Sequence, residues 1–442
     1  MQKVKSLFPN QPSLILRLKG LYLNRADSLV GKSLISMTDQ GALSLTNFLV
    51  NIILLKTISI ADYGRYSFFY SILMLLAAMS SALINSPMNV MIAGKKTSSG
   101  NQYISALLFG QVFVFLGFAV LGFAGALLMQ FFGHLDYGLW SITVLFLAGL
   151  GTILREFFKP VFFNRPRPEY VLLIDLTFIF VYLLALFISL QNLNWVSVYG
   201  FRFIASTTAG ALGIYFWRSR FSSPSFKEIF ASLKENFEHG RWILPSVIVS
   251  NLANYSFVYL LIYLLGEAEA GVASGARLVV MPLILCLDSW AKVAVPHGSK
   301  LREKKQVSEL GKMLFKTSGV FMLGIILYGC FTYLFADDIS GFLFDEQPLN
   351  QTGLIYLWVI YAFFFVLRKN ATVGLMVLKS FKLLFYLNPI SVFSTLFFGF
   401  IFINSFGVAG SILAMIAAEI GLGIITWVLF IKEKRKFAFN KQ

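Results

Sequence analysis

Many charged side chains lie inside long apolar stretches of this 442-residue sequence. An ionisable residue within a membrane span costs about 2.5–3.5 kcal/mol on insertion scales, and it normally faces the protein interior or a water-filled cavity. A single ion pair would need no functional explanation, but charges spread over both halves of the chain indicate a polar cavity. These residues include Asp39, Arg155, Glu156, Lys159, Asp175, Arg202, Arg277, Asp288, Lys292, Arg368, Lys369 and Glu419.

Arginine and lysine outnumber the carboxylates in this set, which favours an anionic ligand because a guanidinium meets a phosphate group through two hydrogen bonds. We expect four cations to form a cationic, substrate-binding cavity: Arg155, Lys159, Arg202 and Arg368. The alternative is that each of them neutralises Asp39, Asp175 or Asp288 within its own half of the chain. Asp288 and Lys292 are four residues apart on one helix, which predicts a structural ion pair.

The carboxylates in these stretches are candidates for ion coupling or gating. A carboxylate in a poorly solvated cavity can load and release a proton. Asp39 is the first candidate because the adjacent Gln40 can hydrogen-bond either protonation state; Glu419 is the second, and Asp175 joins the group. The alternative is that Asp39 and Glu419 merely pair with Arg155 or Arg202.

Twelve apolar spans, each longer than the ~20 residues that a helix needs to cross a bilayer, organise these side chains. The loops between them alternate between basic and neutral or acidic, so the positive-inside rule predicts that both termini face the cytoplasm. We therefore expect an all-α polytopic protein of a cytoplasmic membrane. The spans are 33–56, 66–93, 103–129, 137–163, 169–191, 194–217, 243–266, 270–295, 313–336, 352–376, 383–404 and 406–431.

Composition excludes several other classes of protein. A chain that is 57% hydrophobic and 13% charged is not an ordinary soluble domain. Its net charge of +16 would suggest nucleic acid in a soluble protein, but the basic residues lie in the loops where the orientation rule requires them, close to lipid headgroups. The two cysteines offer neither a disulfide framework nor a metal site. We expect no metal, no cofactor and no nucleic acid partner.

The polar segments divide the chain into five parts. We expect a cytoplasmic N-terminal segment with an interfacial helix, a six-helix bundle, an amphipathic linker helix, a second six-helix bundle and a basic cytoplasmic tail. Ser225 followed by Glu228 predicts a capping box at the start of the linker helix. The five parts are 1–32, 33–217, 218–242, 243–431 and 432–442.

The two bundles resemble one another in sequence. Asn47 matches Asn254, and Gly64 matches Gly271, both at an offset of 207 residues. Six spans is an even number, so the two copies point in the same direction across the membrane. Such parallel repeats are typical of transporters that rock one half against the other around a central site. At Gly64 and Gly271 we expect positive φ or a close backbone approach, and hence a packing role.

Two stretches resemble a known family. The segment SLISMTDQGALSLTNFLVNIILLKTISIADYGRYSFFYSILMLL at 33–76 resembles the opening of bacterial lipid-linked oligosaccharide flippases, which belong to the multidrug/oligosaccharidyl-lipid/polysaccharide exporter superfamily. The segment ILREFFKPVFFNRPRPEYVLLID at 153–175 is similar to the Arg-rich connection between that family's fourth and fifth helices. Where the family often has adjacent arginines, this chain has Arg155 followed by Glu156.

The resemblance implies a MATE-like, V-shaped pair of six-helix bundles. It also implies that the protein is not an enzyme but moves undecaprenyl-diphosphate-linked oligosaccharide repeat units to the outer leaflet by alternating access, for exopolysaccharide or O-antigen. A polysaccharide polymerase and chain-length machinery would then be partners. Two alternatives stay open: a multidrug or organic-cation antiporter of the same superfamily, and a polysaccharide polymerase or ligase. Against the latter, the longest loop on the outer side, 337–351, is short for a catalytic domain.

Overall fold

The computed structural model describes residues 29–131, 137–164, 167–344 and 351–439, and within these ranges the chain forms helices and no strand. Twelve helices are long and α10 is short. In chain order they are α1 Leu29–Thr57, α2 Ile60–Met91, α3 Thr97–Phe131, α4 Leu139–Phe163, α5 Glu169–Ile188, α6 Trp195–Trp217, α7 Phe226–Leu264, α8 Glu267–Glu303, α9 Val307–Leu334, α10 Ala336–Phe344, α11 Gln351–Val377, α12 Phe381–Phe406 and α13 Val408–Phe439.

Each of the twelve predicted spans coincides with one of the twelve long helices, which confirms the all-α polytopic fold. Ten of these helices are long and apolar enough to cross a membrane. The other two, α1 and α6, contain more polar side chains, such as Asp39 and Asn47 in α1 and Arg202 in α6. Large apolar side chains are exposed on the outside of the bundle, for example Leu121 on α3 and Phe393 on α12, which are each 71% exposed. Such a continuous apolar surface suits a lipid environment.

Side-chain caps fix the starts of several helices. At α7 the predicted capping box is present: the backbone N–H of Glu228 donates to the Ser225 hydroxyl, and the Glu228 carboxylate accepts from the backbone N–H of Ser225. Asn194 and Ser197 form the equivalent box at α6, and the Ser59 hydroxyl caps α2. These caps satisfy backbone N–H groups that the first turn of a helix leaves without partners.

The segment 218–242 is not a separate linker helix, because α7 runs without interruption from Phe226 to Leu264. The first turns of α7 are hydrogen-bonded to the N-terminal half. The Asn236 side-chain amide donates to the carbonyl oxygens of Leu83 and Ile84, at 3.2 and 3.0 Å. Both carbonyls belong to a π-helical turn of α2, Ser81–Asn85. The N-terminal interfacial segment lies outside the described residues, and the basic tail continues α13 to Phe439.

The two halves meet where α2 crosses α8. A Cβ atom on Gly64 would collide with the carbonyl oxygen of Glu267, and a Cβ atom on Gly271 would collide with the carbonyl oxygen of Ile60. The contact is therefore reciprocal, since residues 60 and 267 are separated by the same 207 positions as the two glycines. A twofold axis between α2 and α8 requires this reciprocity, which supports the parallel repeat. Neither glycine has positive φ, so the close approach explains both.

The helix ends define two ends of the bundle. We call the end that carries Asp62, Glu267 and Glu269 the acidic end. The opposite end carries Lys95, Lys96 and the basic residues at the end of α8, and we call it the basic end. The crossing of α2 and α8 lies at the acidic end.

Candidate functional site

A cavity of 980 Å³ lies between α1 and α2 of the N-terminal half and α7, α8, α11, α12 and α13 of the C-terminal half. The α2–α8 crossing closes the space between those two helices at the acidic end. Toward the basic end the lining includes Trp242 and Phe381, which are 72% and 61% exposed, so the cavity reaches the surface on that side. This volume is large enough for a substantial ligand.

Four of the charged side chains that line the cavity form two ion pairs. Arg368 on α11 donates to both carboxylate oxygens of Glu419 on α13, at 2.5 and 2.8 Å. One residue further along α11, the Lys369 ammonium lies 2.8 Å from the Asp288 carboxylate on α8. Each pair joins two helices of the C-terminal half, and each presents charged hydrogen-bonding groups to the cavity without net charge.

Arg277 on α8 is the fifth charged residue of the described lining, and it forms no ion pair with a described carboxylate. Its guanidinium donates to the Asn254 side-chain oxygen at 2.7 Å and to the Asn254 carbonyl at 3.3 Å. Three rings also flank it, those of Phe257, Trp358 and Tyr255, with centroids 5.2, 5.4 and 5.8 Å away. Aromatic faces and amide oxygens hold a cation in place without neutralising it. The described lining therefore carries an uncompensated positive charge.

Arg155 and Lys159 do not reach the cavity, contrary to our expectation. They lie in a cluster of five charged residues on α1, α4 and α5, which we call the N-half charge cluster: Asp39, Arg155, Glu156, Lys159 and Asp175. Asp175 lies 3.2 Å from the Arg155 guanidinium and 3.0 Å from the Lys159 ammonium. Asp39 is more distant, 3.9 Å from Lys159. None of the five belongs to the described lining of the cavity. The two cations are neutralised within their own half, which was the alternative interpretation.

Arg202 on α6 is also absent from the described lining, and it is only 4% exposed. Its guanidinium lies over the rings of Tyr70, Phe178 and Tyr182, at 5.7, 5.6 and 5.9 Å from their centroids. Tyr70 lines the cavity, so Arg202 supports the cavity wall from behind. Of the four predicted cavity cations, the structure places only Arg368 in the cavity.

Three further expectations need correction or placement. Asp288 pairs with Lys369 across two helices and not with Lys292, whose side chain is exposed. The exposed Gln40 makes no hydrogen bond to Asp39 among the described residues. Asn254 lines the cavity and holds Arg277, whereas its repeat partner Asn47 lies outside the described lining.

Sequence reasoning recognised Arg277 as a charge within a span but did not select it as a site residue. The signal that distinguishes it is the absence of an acidic partner, and this depends on which helices pack together. The same reasoning named Asn254 only as a repeat position and missed the tyrosines and the other asparagines that line the cavity, because such residues are common in spans and carry no charge.

No family model matches this sequence, and no curated protein matches it. Solved structures do match. One is a multidrug resistance MATE family transporter of the MOP superfamily in its inward-facing conformation. The match extends over 93% of this chain and 100% of the transporter chain, with 12% sequence identity and a TM-score of 0.76. An outward-facing structure of such a transporter has a TM-score of 0.64, with 12% identity over 94% of this chain and 96% of its own.

A third match is a MOP superfamily transporter from Pyrococcus furiosus, for which a reversed polarity of the binding pocket has been taken to suggest a different function. It has 12% identity over 94% of this chain and 96% of its own, with a TM-score of 0.63. The shared helices extend over nearly the whole of each chain. This protein therefore has the fold of the MATE transporters of the MOP superfamily.

Proposed function

We propose that this protein is a flippase that moves an undecaprenyl-diphosphate-linked oligosaccharide between the leaflets of a bacterial cytoplasmic membrane. The observation that carries the proposal is Arg277, which lines a large cavity between the two halves and has no carboxylate partner among the described residues. An unneutralised guanidinium in such a cavity is a receptor for an anion, and phosphate oxygens fit its planar set of donors.

Two further cations extend this receptor. Arg368 and Lys369 line the same cavity, and their ion pairs with Glu419 and Asp288 supply additional donors to a ligand that carries two phosphate charges. Arg277, Tyr361 and Arg368 all line this one cavity. The cations that we assign to the diphosphate are therefore Arg277, Arg368 and Lys369, and no longer Arg155, Lys159 or Arg202.

The fold supports alternating access as the mechanism. An alternating-access transporter has one state open to each side of the membrane. A cavity that is closed at the acidic end and reaches the surface toward the basic end corresponds to the state that is open on the basic side. The reciprocal crossing of α2 and α8 provides an axis about which the halves can rock. By the positive-inside rule, the basic end and both termini face the cytoplasm, so the state described here would receive its ligand from that side.

The second candidate is an antiporter of multidrug type. One observation favours it: the N-half charge cluster contains three carboxylates and two cations, so a proton bound at Asp39 would leave the cluster neutral. Against it, the described lining of the cavity contains three cations and two carboxylates, which disfavours a cationic drug. The same acidic cluster would also suit a flippase that is driven by a proton gradient.

The test is a binding and translocation assay with the full-length protein in lipid vesicles. We expect Arg277→Met to weaken binding of undecaprenyl diphosphate at least tenfold, since a charge-assisted hydrogen bond contributes about 1.5–3 kcal/mol. Arg277→Lys should retain part of the affinity. Arg218→Met is the matched control, because Arg218 is exposed and lies outside the described lining.

Equal affinity in Arg277→Met and wild type would contradict the proposal. Efflux of an organic cation such as ethidium, without translocation of the lipid, would establish the antiporter instead.

A further inference from the structure

The lining of the cavity changes in character along its length. Near the acidic end it is formed by tyrosine, asparagine and serine side chains, with Arg277 about 15 Å along α8 from Glu267. The ion pairs of Arg368 and Lys369 follow. Toward the basic end the lining is mainly apolar and includes Trp242, Ile243, Met376, Phe381, Leu384 and Phe385.

Three tyrosines form the N-terminal wall at the acidic end. Tyr63, Tyr66 and Tyr70 occur at helical spacing on α2 and line the cavity together. The Tyr63 hydroxyl donates to Asn51 at 2.9 Å, and the Tyr66 ring is stacked on Tyr199 behind it, with centroids 5.5 Å apart. Tyr63 and Tyr66 are only 1% and 3% exposed, so the partly exposed Tyr70 is the ring that offers an aromatic surface to the cavity.

The opposite wall contains polar atoms without a protein partner. Ser274 on α8 is 9% exposed, and its hydroxyl makes no hydrogen bond with any described residue. The side-chain oxygen of Asn251 on α7 is likewise buried and unpaired among the described residues. Both residues line the cavity. A buried polar group without a partner costs free energy, so unpaired atoms that face a cavity indicate a ligand that hydrogen-bonds to them.

We infer that the part of the cavity around Tyr70, at the level of Arg277, is a sugar-binding subsite, in which a pyranose ring stacks on Tyr70 and its hydroxyls bind Asn251 and Ser274. Aromatic faces suit the C–H faces of a pyranose, and an amide or hydroxyl side chain can both donate to and accept from sugar hydroxyls. The two carboxylates of the described lining, Asp288 and Glu419, are each paired with a cation. This inference rests on the proposed function and deepens it.

The apolar lining at the basic end sets the orientation of the ligand. A prenyl diphosphate sugar has its saccharide, its two phosphates and its hydrocarbon chain in linear order. Tyr70, Asn251 and Ser274 lie within about one helical turn of the level of Arg277, and apolar side chains follow toward the basic end. The sugar and the diphosphate therefore share this level, on facing walls, and the first isoprene units extend toward Phe385 and Leu384.

The test compares two probes on the full-length protein in nanodiscs: undecaprenyl diphosphate, and the same lipid carrying one N-acetylhexosamine. We expect wild type to bind the glycosylated probe roughly tenfold more tightly. Tyr70→Leu and Asn251→Leu should bring that ratio close to one while the affinity for undecaprenyl diphosphate stays unchanged. Asn251→Leu should also leave the thermal unfolding temperature unchanged or higher, because it removes an unpaired buried oxygen.

Two variants outside the cavity are the controls. Tyr263→Leu alters an 82% exposed tyrosine on α7, and Asn404→Leu alters an exposed asparagine on α12. Both should keep the wild-type ratio. Equal affinities of wild type for the two probes would overturn the subsite, as would a preference that survives in Tyr70→Leu and Asn251→Leu. Failure of wild type to bind either probe would instead overturn the proposed function.

Discussion

At the scale of single residues, the buried charges of this protein follow two different arrangements. In the N-half charge cluster, cations and carboxylates from three helices contact one another, so their charges are neutralised and are not available to bind a ligand. In the cavity, Arg368 and Lys369 each have one carboxylate and Arg277 has none among the described residues. A buried ion pair contributes little net stability, but removing one partner is costly because the other charge stays buried.

The N-half charge cluster yields a prediction about Asp39 and Asp175. Asp175→Asn should destabilise the protein by about 3–5 kcal/mol, because Arg155 and Lys159 lose the carboxylate that they share. Asp39→Asn should be tolerated, because two carboxylates would remain for two cations. Thermal unfolding of the two variants beside wild type measures this difference. A loss of stability in Asp39→Asn as large as that in Asp175→Asn would show that Asp39 is a structural ion-pair partner.

The Asp39→Asn variant also tests ion coupling. If Asp39 exchanges a proton during transport, translocation by Asp39→Asn should no longer respond to an imposed pH gradient, whereas wild type should respond. Glu419 is a weaker candidate than the sequence suggested, because both of its carboxylate oxygens accept hydrogen bonds from Arg368. A gradient dependence that is unchanged in Asp39→Asn would remove the coupling role from this residue.

At the scale of helices, the crossing of α2 and α8 is the element contact that organises the two halves. The absence of a side chain at Gly64 and Gly271 lets each helix approach the backbone of the other. Small residues at such a crossing are typical of helix packing in membranes, where burial of apolar surface does not distinguish protein from lipid. Helix α7 is bonded to both halves. Its first turns are bonded to α2 through the Asn236 side chain, and further along the helix the Ser246 hydroxyl accepts a hydrogen bond from Asn388 on α12.

The crossing predicts a contrast between two glycine substitutions. Gly64→Ala should destabilise the protein by about 1–3 kcal/mol, because the added methyl group would overlap the carbonyl oxygen of Glu267. Gly117→Ala on α3 is the control, since a Cβ atom there meets nothing within 4 Å. It should be neutral or should stabilise its helix by up to about 1 kcal/mol. Thermal unfolding in detergent measures both changes, and equal stability of the two variants would contradict the packing role.

At the scale of the whole molecule, a small polar network joins the two halves at the acidic end. Arg65 on α2 donates to the Glu267 carboxylate on α8 at 2.5 Å, and Tyr137 donates to the other oxygen of the same carboxylate at 2.5 Å. Arg65 also lies 3.1 Å from Asp62. If the halves alternate, the contact between Arg65 and Glu267 must break whenever the acidic end opens.

Removing this contact should favour opening at the acidic end. Glu267→Gln should shift the balance between the two states by roughly fivefold, since a partly exposed ion pair contributes about 1 kcal/mol at most. Spin labels at the exposed positions Thr57 and Asp337 would report the change as a larger population of long distances. Glu309→Gln is the control, because it breaks an exposed pair with Lys312 within one helix. An unchanged distance distribution in Glu267→Gln would show that this contact does not hold the acidic end closed.

The sequence by itself determined the elements and their repetition. Hydropathy located all twelve long helices, the Ser225–Glu228 box located the start of α7, and the offset of 207 residues matched Gly64 with Gly271 as equivalent positions of the repeat. These features depend on local periodicity, capping and register, which a linear pattern records directly. Two elements differ from the prediction. The linker helix does not end at 242, because α7 continues through Pro245 to Leu264; a proline removes one backbone hydrogen bond of a helix, and tertiary contacts outweigh that loss. The short helix α10, Ala336–Phe344, lies mostly within the predicted outer loop 337–351.

Only the tertiary structure decided which charge faces which. Arg155 on α4 and Arg368 on α11 each lie on the fourth long helix of their half, yet Arg155 is enclosed with Asp175 and Arg368 lines the cavity. Arg277 stands out only because the described helices around it bring rings and an amide, and no carboxylate, to its guanidinium. The partner of a long charged side chain depends on the rotation and packing of helices that are distant in sequence. The spacing of residues along one helix does not contain that information.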